Sequence, residues 1–193
     1  MMKKTLLVAV SALMALSAQA KQPAGGLQYT YLQGQWSEVD FDGNDSNLAN
    51  NDIDLDGLTA AASFKLNESF YLTGDHMRLS ESGYRVERLA LAGGFRMPLS
   101  RVLDINVGAG LVDYDVKNLA NDDDSGIMMY ARVRGLIEPD WEISAGFQYE
   151  DALIEDTAFT FSAGYHFHRQ LSVGIATSNG DMDVTSLYLR FAF

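Results

Sequence analysis

The last eleven residues, 183–193 (DVTSLYLRFAF), limit the folds open to this chain more than any other stretch. Leu187, Leu189, Phe191 and Phe193 are apolar at every second position, while Ser186, Tyr188, Arg190 and Ala192 between them are polar, amphipathic or small. Period two means a strand with one greasy face and one wet face. Similar alternation recurs from Leu27 onward in runs of about ten residues, the length a membrane-crossing strand needs. The fold class expected is all-β.

The N-terminus points to export. Lys3 and Lys4 precede a short apolar run over 6–16, and Ala18-Gln19-Ala20 is a small-x-small cleavage site. Residues 1–20 thus read as a signal peptide, because the apolar run is shorter than the ~20 residues a spanning helix requires. That leaves 21–193 as one domain. No later stretch could cross a membrane as a helix, so a membrane-embedded mature chain has to be a closed barrel whose strands satisfy each other's backbone groups. A soluble exported β-sandwich is the competing fold, and the 47% hydrophobic content does not separate the two. With no cysteine, disulfides, zinc–thiolate sites and thiol nucleophiles are excluded. The net charge of −12 falls to about −14 without Lys3 and Lys4, which argues against a nucleic-acid partner.

Two kinds of break separate the runs. Tight ones lie at 67–69, 98–101, 138–140 and 168–170; longer acidic ones at 40–54, 80–83, 115–125, 150–156 and 178–183. They alternate strictly, as the short turns and long external loops of outer-membrane barrels do. The count gives an antiparallel up-and-down transmembrane barrel of ten strands, with eight as the alternative. The strands are expected at 27–37, 55–66, 70–79, 84–97, 102–114, 127–137, 141–149, 157–167, 171–177 and 183–193. The third has no clear phase. Aromatics gather near the tight turns (Phe64, Phe70, Phe95, Trp141, Tyr165, Phe167, Phe193), as an interfacial belt would.

The signal peptide, the strand rhythm and the Phe-terminated last strand together resemble the small OmpA-like or OmpX-like outer-membrane β-barrel domain family. The resemblance implies integral residence in the outer membrane of a Gram-negative cell envelope, as a monomer among lipopolysaccharide. It also implies delivery by periplasmic chaperones to the barrel assembly machinery, with Leu187, Leu189, Phe191 and Phe193 as the C-terminal assembly signal. No cofactor is implied.

Strand phase then sorts the charges. Lys65, Arg88, Arg132, Arg134 and Arg190 fall on the inward faces with Asp104 and Glu142, and Glu150 lies near one rim. A charge facing hydrocarbon costs a few kcal/mol at mid-membrane, so a lumen charge network is expected. Side chains nearly fill a barrel of this size. A closed lumen, with a structural or surface-interaction role, is therefore the favoured reading; a narrow, porin-like channel for small solutes or ions is the alternative.

Enzymatic readings fare worse. Asp75-His76 and Asp54-x-Asp56 share residue types with omptin-type surface proteases, but neighbours on a strand point to opposite faces. Inward His166 with Ser162 or Ser144 could form a Ser–His pair for acyl transfer from lipid; in a polar lumen a hydrogen-bonding role is the simpler expectation. The chain is read as not an enzyme. Asp40-x-Asp42-x-Asn44 begins like an EF-hand, yet Gly43 is misplaced and Asn51 stands where a bidentate Glu is needed. No metal site is assigned. Asp40, Asp42, Asp122, Asp123 and Asp124 are at most weak cation-binding loop residues.

Overall fold

The structure, a computed structural model, describes residues 26–41, 53–81, 83–117, 122–152 and 154–193. The expected signal peptide and Asp42 lie outside these. Ten antiparallel strands follow one another: β1 (Tyr31–Phe41), β2 (Ile53–Lys65), β3 (Phe70–Glu81), β4 (Tyr84–Pro98), β5 (Leu103–Lys117), β6 (Asp122–Glu138), β7 (Trp141–Ala152), β8 (Ile154–His168), β9 (Leu171–Asn179) and β10 (Met182–Ala192). Each pairs with its sequence neighbour, and β1 pairs with β10 to close the barrel. The ten-strand count is the observed one. The seam is in register from Tyr31 opposite Ala192 to Phe41 opposite Met182, and the Phe193 N–H donates to the Thr30 carbonyl beyond it.

The tight turns have local causes. At the β2–β3 turn the Asn67 carboxamide oxygen accepts the N–H groups of Ser69 (2.9 Å) and Phe70 (3.0 Å), a side chain standing in for a backbone turn. Aromatic residues crowd this rim: Phe70 meets Phe95 edge-on with centroids 5.2 Å apart, and Trp141, Tyr165 and Phe167 pack in sequence.

The opposite rim departs from expectation. The strands run further than their apolar alternation suggests, so the acidic breaks at 80–83, 150–156 and 178–183 shrink to connections of two, one and two residues. Gly83 takes a positive φ of 94° in the β3–β4 connection, a backbone state that a Cβ disfavours. At the other end of β1, the alternation of residues 27–30 predicts that they belong to the first strand. They instead turn in beneath the barrel, burying Leu27, Tyr29 and Thr30.

Across the middle of the wall the outer face is apolar: Leu58 and Leu111 are 67% and 69% exposed, and Leu89, Leu91, Phe147, Ile175, Leu187 and Leu189 join the band. Towards the rim of short connections this reverses. There the outer face carries Glu38, Asp56, Arg78, Glu87, Asp113, Asp115, Asp151 and Glu155, and the inner face carries buried Val39, Leu55, Leu79, Val86, Val112 and Val116. This inverted part of the wall is termed the collar.

Candidate functional site: the lumen

At the turn rim the lumen is crossed by a polar layer built around two carboxylates. Glu142 on β7 accepts from Arg134 on β6 at 2.9 and 2.8 Å, and from Arg190 on β10 at 2.9 Å. His166 Nε2 lies 3.5 Å from the same carboxylate. Asp104 on β5 is fully buried; it accepts from Arg96 at 2.6 Å and from the Tyr29 hydroxyl at 2.9 Å. Tyr29 joins the two centres. The guanidiniums of Arg96 and Arg134 each lie 4.9 Å from its ring centroid, and Arg134 also donates to the Gln28 carbonyl at 2.8 Å. A tyrosine between two arginines gains cation–π attraction on its face while its hydroxyl is satisfied at the edge. Segment 27–30 thus reaches from the seam to β5 and β6.

Two glycines make the space for a second tyrosine layer. A Cβ on Gly94 or Gly108 would collide with the rings of Tyr71 or Tyr130, whose hydroxyls are hydrogen-bonded at 3.0 Å. Nearer the collar, Arg88 pairs with Asp75 and Glu150, and the Tyr114 hydroxyl donates to Glu150 at 2.7 Å.

Above the polar layer lie two stacked cavities of about 80 and 300 Å³. The smaller is enclosed by Tyr29, Tyr71, Arg134 and Glu142; the larger runs past Gln33, Gln35 and Arg88 to Asp156 and Ser178 at the collar. Tyr31, Arg132, Ser144, Ser162 and Arg190 line both.

The residues singled out from sequence are distributed as follows. Arg88, Asp104, Arg134, Glu142 and Arg190 lie in the lumen within ion-pair clusters. Lys65 does not join them: it sits at the turn rim and bonds Glu68 at 2.8 Å, and this ammonium holds the Glu68 carboxyl below the usual carboxylate range. Arg132 lies in the lumen with no carboxylate within 4 Å among the described residues. Leu187, Leu189 and Phe191 face outward, and Phe193 stacks on Phe191 with centroids 6.0 Å apart. Asp75 points inward to Arg88, while His76 is on the outward, exposed face, so the two share no site. Ser162 bonds Ser144 at 2.9 Å, and His166 turns to Glu142. In backbone register Asp40 stands opposite Asp183 and Asp54, and Asp122, Asp123 and Asp124 stand opposite Val116, Asp115 and Tyr114. Among the described residues no three His, Cys, Asp or Glu side chains converge to hold a metal ion.

Arg96, Asp75 and Tyr29 are among the lumen participants that the sequence does not reveal. Arg96 shares the inward parity of Arg88 on β4, so extending that parity past Gly94 would have found it. Asp75 was hidden by the unclear phase of β3. Tyr29 carried the alternation of a strand and so gave no sign that its segment turns inward.

A closed antiparallel barrel with an apolar outer belt and a charged interior is the construction of an integral outer-membrane protein. The chain belongs to the outer membrane protein beta-barrel domain family, whose pattern it matches over residues 6–167. No curated protein matches the sequence. Among solved structures it is similar to the KdgM porin in complex with disordered oligogalacturonate (11% identity, 84% of this chain and 99% of that one, TM-score 0.48). It is also similar to Neisserial surface protein A (11%, 84% and 96%, TM-score 0.47). A third is Ail, the attachment invasion locus protein of Yersinia pestis (10%, 86% and 100%, TM-score 0.37).

Proposed function

We propose that this outer-membrane barrel has a structural or surface-interaction role and does not pass solutes. The observation carrying this reading is the polar layer at the turn rim. Glu142, Arg134, Arg190, Tyr29, Asp104 and Arg96 interlock there, and Glu142 and Asp104 are 4% and 0% exposed. Charge-assisted and bidentate bonds of this kind are the strong ones, so opening a path means breaking several at once. On this reading the turn rim faces the periplasm, the collar faces out among lipopolysaccharide, and the monomer carries no catalytic site. The collar carboxylates bind divalent cations weakly at most.

Single-channel recording of refolded protein in a planar bilayer tests the closed lumen. Inserted protein without discrete current steps is the expected result; reproducible steps altered by replacing Arg134 would establish the channel alternative. That alternative draws on one observation, the two cavities stacked along the lumen. The outward row Leu187, Leu189, Phe191 and Phe193 is proposed to be read by the assembly machinery. Deleting Phe193 removes its stacking on Phe191 and its bond to Thr30, and is expected to lower the amount of inserted barrel in cells. Undiminished insertion would count against that role.

A further inference from the structure

Of the five lumen arginines described, four have carboxylate partners: Arg88 with Asp75 and Glu150, Arg96 with Asp104, and Arg134 and Arg190 with Glu142. Arg132 differs. Among the described residues its guanidinium makes no hydrogen bond or ion pair; the guanidinium carbon lies 4.5 Å from the Tyr130 ring centroid, and the Nε is buried without a hydrogen-bond partner. It stands between the two ion-pair clusters, at the junction of the two cavities. A guanidinium carries five donors in a planar fork, and leaving a buried one unmet is costly. The hydroxyls of Tyr31, and of Ser144 bonded to Ser162, line both cavities with it, and Asp156 lies at the collar end of the larger one. Two carboxylates towards the collar are held by Arg88: Asp75 pairs with it, and Glu150 accepts from it, from Tyr114 and from Gln148.

We infer that the lumen chamber is a binding site for a small carboxylate anion, held by the Arg132 guanidinium and oriented by the hydroxyls of Tyr31, Ser144 and Ser162. A planar carboxylate matches the guanidinium fork and brings a negative charge to the one lumen arginine that has no carboxylate within 4 Å among the described residues. The larger cavity, about 300 Å³, is at the lower end of the range that takes small molecules, and Gln33 and Gln35 on its wall suit a hydroxylated acid. The inference holds whether or not the lumen conducts, since the site lies above the polar layer.

Acetate is the probe. Protein refolded in neutral maltoside micelles, in chloride- and phosphate-free zwitterionic buffer, is titrated while the Arg132 Nε–H resonance is followed by NMR. A saturable shift at Arg132, with the Arg134 resonance moving little, is expected. In parallel, acetate is expected to raise the urea midpoint of the wild type and leave that of Arg132→Gln unchanged, because a ligand stabilises only the state that binds it. Arg132→Gln removes no ion pair, so it is expected to fold; Arg132→Lys, keeping charge without the fork, is expected to bind with about tenfold weaker affinity, the loss of one charge-assisted bond. A linear, unsaturated drift at Arg132, or equal stabilisation of wild type and Arg132→Gln, would overturn the assignment.

Discussion

On the lower part of β5, Ile105, Val107 and Leu111 face outward while Asp104 and Asn106 face the lumen; a few residues on, Asp113 and Asp115 face outward and Val112 and Val116 face in. The pleat never slips between the two parts. What changes is the medium outside the wall. Hydrocarbon surrounds the first part, so apolar side chains belong outside and charges belong in the lumen. Water and headgroups surround the second, and the ordinary rule of soluble proteins returns, with a buried apolar interior and a charged surface. β4 repeats the switch, from Leu89 and Leu91 outside to Glu87 outside and Val86 inside. One barrel thus has a polar interior packed by ion pairs and an apolar interior packed by shape, held in a single continuous sheet.

Substitutions that empty each interior in turn would break or sharpen this contrast. The largest effect is expected at Glu142, where Glu142→Ala leaves the buried guanidiniums of Arg134 and Arg190 unpaired. A loss of about 3–5 kcal/mol in urea-unfolding free energy is expected in lipid vesicles. A loss below about 1 kcal/mol would mean that water already reaches the polar layer, contrary to a packed floor.

Next comes the collar. Leu79→Ala leaves a cavity in a 1%-exposed site, whereas Leu91→Ala leaves a space that lipid chains refill. Both lose the transfer free energy of the deleted carbons, so Leu79→Ala is expected to cost about 1–2 kcal/mol more, the cavity contribution. Equal costs in the same unfolding assay would mean that the collar interior is loosely packed.

The smallest effect concerns the collar's outer surface, where Asp151 stands directly opposite Glu155 in register, both exposed. Like charges placed so repel, and Asp151→Asn is expected to raise stability by about 0.2–1 kcal/mol. The gain should shrink as salt rises, because exposed charges are screened. A gain that ignores salt would point to some cause other than charge.

The polarity switch also explains what the sequence could reveal. Wherever a strand stays in one medium, as β2, β7 and β8 do over most of their length, alternation gives both the strand and its facing. Phe70 and Leu72 outside and Met77 and Leu79 inside put β3 across the boundary, so its apolar residues occupy both parities and the phase cancels. The same crossing makes strand ends resemble acidic loops: Asp115, Asp123 and Asp124 are ladder residues, not loop residues. Within the lumen, parity alone placed Arg88, Arg134, Glu142 and Arg190 on the inner face. Which acid meets which base depends on distances across the barrel, and Tyr29 arrives there only by leaving the sheet. No periodicity encodes either.

The short connections of the collar carry a consequence for anything that approaches from outside. Three of the five links between strands at that rim are only one or two residues long, and the ladder runs nearly to their tips. Contact there would be made with a surface already set in shape. A partner would lose little chain freedom in docking on it, so complementarity of form and charge, rather than folding of a loop around the visitor, would decide what stays bound.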